Sequence, residues 1–466
     1  MIKFGTDGWR GEIARDFTFE NVAYVALATA MYAKKAFGNK LKIVIGYDTR
    51  FLSGEFAAET ARVLAWQGID VDLADNISST PEISYAAKFR EANLGVVITA
   101  SHNPPLYNGY KLKANFGGPA TPEQIESLEL ELKAIIDNPP LLDYKPLKDY
   151  LEAGTVKYFN AEKEYMDYLA GVLDIETIRK AGFKVLFDPM HGAAITKGKK
   201  VLPDADEIHG EYNPSFGTLD HPEPIGETLG ELIKIMKSGK YDIGLAFDGD
   251  ADRLGTVDNE GNFVDSHRVF MIFMKYLYEI KNKRGAVAKT VSLTSMVNAF
   301  CEKQEIKLYE TPVGFKHIAK LMSEEDILIG GEESGGLSTI IHIPERDGLF
   351  NGLLMLEIMA VRKMSLKELS DELDAEFGVH RFLRRDQRVT QEIKDRILNA
   401  CSKKPTKLGK YEVKSIETKD GYKFFTEGGW LLIRASGTEP LLRFYSEADS
   451  IEKVNELLDE GIKIGQ

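Results

Sequence analysis

A chain of 466 residues is too long to fold around one hydrophobic core, because cores stop growing near ~250–300 residues; several domains are expected. Its 43% hydrophobic and 28% charged content is ordinary for a globular protein and excludes a disordered or fibrous chain. The net charge of −13 makes a surface that repels nucleic acid and anionic membranes, so neither is expected as a partner, and any grip on an anionic ligand must be local.

Two cysteines, Cys301 and Cys401, are too sparse for a disulfide framework, have no CxxC neighbour, and are expected as reduced, buried thiols. The segment Met1–Asp16 lacks the apolar stretch of a secretory leader, and no run of about 18 apolar residues exists to span a bilayer. The expectation is a cytoplasmic protein.

In chain order, the pattern predicts a helix over Val22–Ala36, then strand-length apolar runs that each end in a glycine-rich or polar loop. Lys42–Gly46 precedes Tyr47–Arg50, Leu94–Thr99 precedes Ala100–Pro105, and Val185–Phe187 precedes Asp188–Gly192. A helix over Glu227–Lys237 follows, then Ile243–Phe247 before Asp248–Arg253, Ile327–Ile329 before Gly330–Gly336, and Leu431–Ile433 before Arg434–Pro440. This alternation means β-α units with mainly parallel sheets, in which ligands bind beyond the carboxyl ends of strands. The loops richest in chemistry fall in different stretches of chain, which points to a site where domains meet. Boundaries are expected near Asn138–Pro140, just after Arg253, and near Ser365–Leu373.

Thr99-Ala100-Ser101-His102-Asn103-Pro104-Pro105 places a serine at the mouth of a buried strand, stiffened by two prolines, where nucleophilic work is feasible. The GxSxG pattern of a hydrolase elbow is absent, and His102, adjoining the serine in sequence, does not make a triad; it is expected to hydrogen-bond within the loop. Lys111 is a proton-transfer candidate if burial or a neighbouring cation lowers its pKa.

Asp248-Gly249-Asp250-Ala251-Asp252-Arg253 is far more specific. Three carboxylates at alternate positions of an extended chain project to one side, and three like charges so close call for a hard, oxygen-seeking cation. An EF-hand is excluded, since its sixth and twelfth positions would be Arg253 and Asn259 and the loop follows a strand. Gly330–Gly336 offers carboxylates to sugar hydroxyls, with glycines that let the backbone come close. Arg434–Pro440 combines a guanidinium, two hydroxyls and loop amides into a phosphate clamp, and no Walker loop or GxGxxG competes with it.

Together with the early Gly5-Thr6-Asp7-Gly8-Trp9-Arg10-Gly11, and in this order, these loops resemble the α-D-phosphohexomutase superfamily across essentially the whole chain. The resemblance implies an α/β fold: three related α/β domains with mixed, largely parallel sheets and a smaller C-terminal α+β domain around a central cleft. The domains would run 1–150 with the phosphoserine loop, 151–256 with the metal loop, 257–371 with the sugar loop and 372–466 with the phosphate loop. It makes Ser101 the phosphorylated nucleophile, with Lys111 as acid or base, Arg10 beside the phosphoserine, and His102 counted in the same catalytic group. Asp248, Asp250 and Asp252, with Ser101, would hold Mg²⁺. Arg253, Lys316, Glu332 and Ser334 would contact substrate, and Arg434, Ser436, Gly437 and Thr438 its non-reacting phosphate. Ala194 stands where many relatives have a second glycine.

The implied activity is reversible phosphate transfer between C1 and C6 of a hexose through a 1,6-bisphosphate. Gly331-Glu332-Glu333-Ser334 resembles glucose-preferring members, so glucose 1-phosphate and glucose 1,6-bisphosphate are the expected substrate and intermediate; Ala251 leans away from the glucosamine enzymes. A dual glucose/mannose enzyme, a glucosamine enzyme, a sugar phosphatase and a silent sugar-phosphate sensor are the alternatives. A monomer or homodimer is expected.

Overall fold

The first helix, α1 (Phe19–Phe37), begins where the Thr18 side chain accepts a hydrogen bond from the Asn21 amide, and it ends at Gly38, whose φ of 86° suits a residue without a Cβ. The expected helix over Val22–Ala36 thus starts one turn earlier, because Thr18 and not the first valine sets the cap. The computed structural model describes residues 2–435 and 441–464 in two compact units. One contains the chain up to Ala286 with Gly314–Glu368; the other contains Val287–Val313 with the chain from Leu369. With the four matched domain segments reported below, the architecture is a four-domain α/β one built on mixed sheets.

In the first unit, β1 (Trp9–Glu12), β2 (Lys42–Tyr47), β3 (Asp70–Ala74), β4 (Leu94–Ile98), β5 (Tyr107–Ala114) and β6 (Val156–Phe159) lie in the order β1-β5-β4-β2-β3-β6. The run β4-β2-β3-β6 is parallel, which is why β2 and β4 read as continuous apolar runs. β4 and β5 are antiparallel neighbours in the register Val97↔Lys111, and β1 adds antiparallel to β5 with Arg10↔Gly109. One reversal therefore brings Lys111 beside the strand that feeds Ser101, and one added strand brings Arg10 to the same end.

A second sheet contains β7 (Val185–Asp188), β8 (Ile243–Phe247) and β9 (Leu254–Asp258). β8 runs parallel to β7 and antiparallel to β9 with Phe247↔Leu254, so residues 248–253 form the whole connection. The helix expected over Glu227–Lys237 is confined to Gly230–Met236, because Thr228 is drawn into a turn by accepting from the Ile225 amide (3.3 Å). Ile327–Gly331 and Leu337–Thr339 make a hairpin paired Gly331↔Leu337.

The second unit is built on an antiparallel sheet whose middle strands, Tyr422–Thr426, Gly429–Ala435 and Leu441–Ala448, are apolar on both faces. With side chains alternating along each strand, Phe424, Leu431, Ile433, Leu442 and Phe444 face helices Gln391–Ser402 and Ile451–Lys463. Trp430, Leu432 and Tyr445 turn the other way and pack with Val291, Val313, Phe382 and Phe425. Polar ties fasten that second face: Lys423 Nζ donates to the Val291 carbonyl (2.7 Å), and Glu447 Oε1 accepts from Trp430 Nε1 (3.1 Å) and the Ser295 amide (3.0 Å).

Cys301 and Cys401 are both free and buried, and burial pushes their thiols up to about 11 and about 12. Among the described residues, no helix is long and apolar enough to cross a membrane.

Candidate active site

Ser101 sits in the β4–β5 connection, buried, with its backbone at φ 53°, a left-handed conformation that side-chain-bearing residues seldom adopt. Neighbouring groups hold it there. Its amide donates to Thr99 Oγ1 (2.8 Å), and the Thr99 hydroxyl donates to Asp48 Oδ2 (2.6 Å). Its carbonyl accepts from Arg50 Nη2 at 2.5 Å and faces Gly249, where an added Cβ would collide with it. The Ser101 hydroxyl donates to Asp248 Oδ2 at 2.8 Å and lies 3.4 Å from His102 Nδ1. As expected from the sequence, His102 hydrogen-bonds within its own loop. Burial, then the cations of Arg253 and Arg10, hold its imidazole well below the usual range, so it is neutral near pH 7. Arg10 Nη1 donates to Asn103 Oδ1 at 2.6 Å across the same loop.

The three aspartates of the second loop present carboxylate oxygens within 4.8 Å of one another, all fully buried. Their convergence differs in cause from the extended chain expected. The loop is a turn, closed by the Ala251 amide donating to the Asp248 carbonyl (2.9 Å), with Ala251 at φ 58°. Asp248 Oδ1 accepts from the Arg253 amide at 3.0 Å, and Thr80 donates to Asp250 through its hydroxyl. Burial and the charges of Asp252 and Asp250 raise the Asp248 carboxyl well above its usual range. Asp250 Oδ1 and Asp252 Oδ1 are buried without a hydrogen-bond partner. Orphaned carboxylate oxygens are costly in a buried site, and two of them in a triad whose carboxylates converge within 4.8 Å fit a divalent cation with oxygen ligands. The triad can therefore hold a metal ion.

Positive charge surrounds these carboxylates. Lys111 Nζ lies 2.6 Å from Asp7 Oδ2, 2.7 Å from Asp250 Oδ2 and 2.9 Å from Asp252 Oδ2. Burial works against its charge, but Asp250, Asp252 and Asp7 outweigh burial and raise its pKa. The lowered pKa that was the condition for Lys111 as a proton-transfer group is thus not found; three carboxylates raise its pKa and hold it protonated. Arg346 pairs with Asp7 and donates to Asp252 Oδ2 (2.6 Å), while its other nitrogen lies 3.6 Å from Glu332. Arg253 Nη1 donates to Glu223 at 2.7 Å.

Glu332 opens the 332–336 turn of the third loop and accepts from the Gly314 amide at 3.0 Å. Burial pushes its carboxyl up to about 7, against the pull of Arg346 and with help from Glu333. Gly335, at φ 90°, turns the chain so that its carbonyl accepts from the Leu254 amide at 3.3 Å; a Cβ there would press on the Leu254 carbonyl. Ser334 is half-buried, and so is Lys316, the second residue of helix Phe315–Glu324. Ala194 is buried, and its carbonyl accepts from the Lys197 amide at 3.0 Å.

Ser101, His102, Arg10, Lys111, the three aspartates, Arg253 and Glu332 are thus linked in one continuous polar network within the first unit. Arg434 belongs to the second unit, where its Nε donates to Asp420 Oδ2 at 2.7 Å. Ser436, Gly437 and Thr438 lie outside the described residues. Asp7, Asp48, Arg50, Thr80 and Arg346 belong to the network and were not singled out from the sequence. Asp7 stood inside a recognised motif and Asp48–Arg50 in a strand-end loop; Arg346 had only the charged run Glu345-Arg346-Asp347 between apolar stretches to betray it.

A buried serine hydroxyl against a triad that can hold a metal ion, ringed by lysine and arginine, suits the handling of an anionic group. The sequence matches four consecutive domain descriptions: phosphoglucomutase/phosphomannomutase alpha/beta/alpha domain I over residues 1–138, domain II over 163–261, domain III over 265–377 and the C-terminal domain over 384–463. It is 30% identical over 468 residues to the phosphoglucomutase/phosphomannomutase of Thermococcus kodakarensis, spanning 99% of this chain and 98% of that protein. It is 32% identical to the phosphoglucosamine/phosphogalactosamine mutase of Sulfurisphaera tokodaii, spanning 99% of this chain and 98% of the relative. The crystal structure of a Thermus thermophilus protein assigned as a phosphomannomutase superposes with a TM-score of 0.86 at 32% identity, covering 99% and 98% of the two chains. The chain belongs to the phosphoglucomutase/phosphomannomutase family of phosphohexomutases.

Proposed function

We propose that this phosphohexomutase is a phosphoglucomutase, interconverting glucose 1-phosphate and glucose 6-phosphate through a phosphoserine at Ser101 and glucose 1,6-bisphosphate. The observation that carries the reading is the buried Ser101 hydroxyl 2.8 Å from Asp248, at the head of the metal-competent triad. The glucose assignment leans on Gly331-Glu332-Glu333-Ser334. A second reading, a dual glucose/mannose enzyme, is supported by the double name of the Thermococcus relative.

In this mechanism phosphoserine donates to the free hydroxyl of the bound hexose phosphate: the bond from phosphorus to Ser101 Oγ breaks and a bond to the sugar oxygen forms. Lys111, held charged, gives Ser101 Oγ a proton as the phosphate leaves, and the proton lost by the attacking sugar hydroxyl returns the lysine to its charged form. Arg10 and Arg253 face the transferring group. Asp248, Asp250 and Asp252, with Ser101, would hold Mg²⁺, which when bound would supply neutralisation of negative charge during the transfer. After the bisphosphate turns over, its other phosphate returns to Ser101. Glu332, Ser334 and Lys316 orient the sugar, and Arg434 with Ser436, Gly437 and Thr438 clamps the phosphate that is not reacting. We assign these roles to four domains bounded near 150/151, 256/257 and 371/372.

Initial rates with glucose, mannose and glucosamine 1-phosphates test the proposal. The highest kcat/KM with glucose, with the 6-phosphate and no free phosphate as product, is expected; release of free phosphate as the main product would mean a phosphatase.

The Glu332 carboxyl supplies a pH test. The ionised form accepts hydrogen bonds from sugar hydroxyls through both oxygens and more strongly than the protonated one, and its pKa is pushed up to about 7. As pH falls through 7 the carboxyl gains its proton, so KM should rise, by up to ~10-fold per pH unit, while in Glu332→Gln this limb vanishes. An unchanged KM limb in Glu332→Gln would remove Glu332 from sugar binding.

A further inference from the structure

Arg50 is 1% exposed and lies on no motif that the proposed chemistry uses. Its two terminal nitrogens donate four hydrogen bonds, all to main-chain carbonyls of the serine loop: Nη2 to Ser101 (2.5 Å) and Asn103 (2.6 Å), Nη1 to Pro104 (2.9 Å) and Tyr107 (2.9 Å). The guanidinium also stacks on Phe216, 4.9 Å from the ring centre. Asp48, two residues earlier, holds the other side. Its carboxylate accepts from the Thr99 hydroxyl (2.6 Å), the Ser53 hydroxyl (2.8 Å) and the Arg50 amide (3.0 Å), and it lies 3.2 Å from Arg50 Nε. Thr99 in turn accepts from the Ser101 amide.

The loop is therefore gripped before and after the serine by one buried ion pair. A buried arginine is costly unless its donors are met, and here the planar fork meets four main-chain acceptors. That expenditure makes sense only if the loop must be rigid. The Ser101 carbonyl, seized by Arg50, is the same one that abuts Gly249, so the grip also sets how Ser101 meets the aspartate loop.

We propose that Asp48 and Arg50, acting through Thr99, are positioning residues that hold the Ser101 backbone in its left-handed conformation and so aim its oxygen at the aspartate triad for phosphoryl transfer. The inference rests on the phosphomutase reading of Ser101 for its catalytic consequence, and on geometry alone for its structural one.

Three variants test it. Arg50→Lys keeps the charge but lacks the planar fork that spans four carbonyls; Thr99→Val removes the link to Asp48 at constant size, and Thr99→Ser retains it. Misplacement of a reacting group by about 1 Å costs on the order of 10²-fold, so Arg50→Lys and Thr99→Val should lower kcat by about that factor with KM within ~3-fold of wild type, and Thr99→Ser should restore it. Hydrogen exchange at the amides of 101–107 should quicken in both impaired variants, with the rest of β4 and β5 unchanged. Should Arg50→Lys fail to fold, Thr99→Val carries the test. A folded Thr99→Val with wild-type kcat, or one whose loss lies in KM, overturns the proposal. If the wild-type chain turned over no hexose phosphate, the functional reading would fail by itself. Exchange would then decide the clasp: faster exchange at 101–107 sustains it, and unchanged exchange overturns it.

Discussion

Protein recovered from cells will carry phosphate on Ser101, and Ser101→Ala will lose mutase turnover by at least ~10³-fold while remaining folded. The two halves of this expectation have different causes. Turnover depends on an oxygen that accepts and releases the phosphate, and alanine has none. Folding depends little on that oxygen: it makes two hydrogen bonds, to Asp248 at 2.8 Å and a long one to His102 at 3.4 Å, and such a bond contributes about 1 kcal/mol. The backbone at φ 53° is no worse for alanine than for serine. Intact mass and peptide mapping read the phosphate, and a coupled assay reads the rate. Full turnover in Ser101→Ala would end the assignment.

Removing divalent cations with excess chelator will abolish turnover, and Asp250→Asn will weaken the apparent Mg²⁺ affinity by about 10- to 100-fold. Carboxylate oxygens within 4.8 Å of one another repel by about 3–4 kcal/mol per ionised pair at an effective dielectric of ~20. Lys111 and Arg346 offset part of this, yet one oxygen each of Asp250 and Asp252 stays without a hydrogen-bond partner. A cation bound there stabilises the fold as well as the reaction, by about 2.7 kcal/mol when its concentration is 100 times Kd. Magnesium should therefore raise Tm in the wild type and do so less in Asp250→Asn. Undiminished activity in chelator, or a Tm indifferent to magnesium in both proteins, would remove the metal from this loop.

The strands that feed the site were legible because each is a buried apolar run ending in a polar loop; the strand Ile243–Phe247 agrees with the structure residue for residue, whereas the loop after it is a turn and not the extended chain expected. The aspartate cluster was legible because its spacing is local. Lys111 was found as a candidate, but its charge state was not, since that depends on Asp7 and on two aspartates 139 and 141 residues away. Arg346 and Asp252 are 94 residues apart and meet only through the fold. Arg50 shows the general difficulty: nothing in Tyr47–Arg50 says that this arginine, unlike most, will be buried on four carbonyls. Local chemistry can be read from neighbours in the chain; compensation of buried charge requires partners from elsewhere.

The second face of the C-terminal sheet bears on how this chain can be divided. Residues 287–313 fall within the stretch matched as domain III, yet Val291 packs against Trp430, Leu432 and Tyr445, which belong to the stretch matched as the C-terminal domain. A gene trimmed at the seam between those stretches would encode a fragment with a bare tryptophan, an unmet Lys423 ammonium and a sheet half undressed. Recombination or engineering that exchanges the C-terminal portion among relatives will succeed only if it carries 287–313 along, so the cohesive piece of this protein is discontinuous in the chain that encodes it.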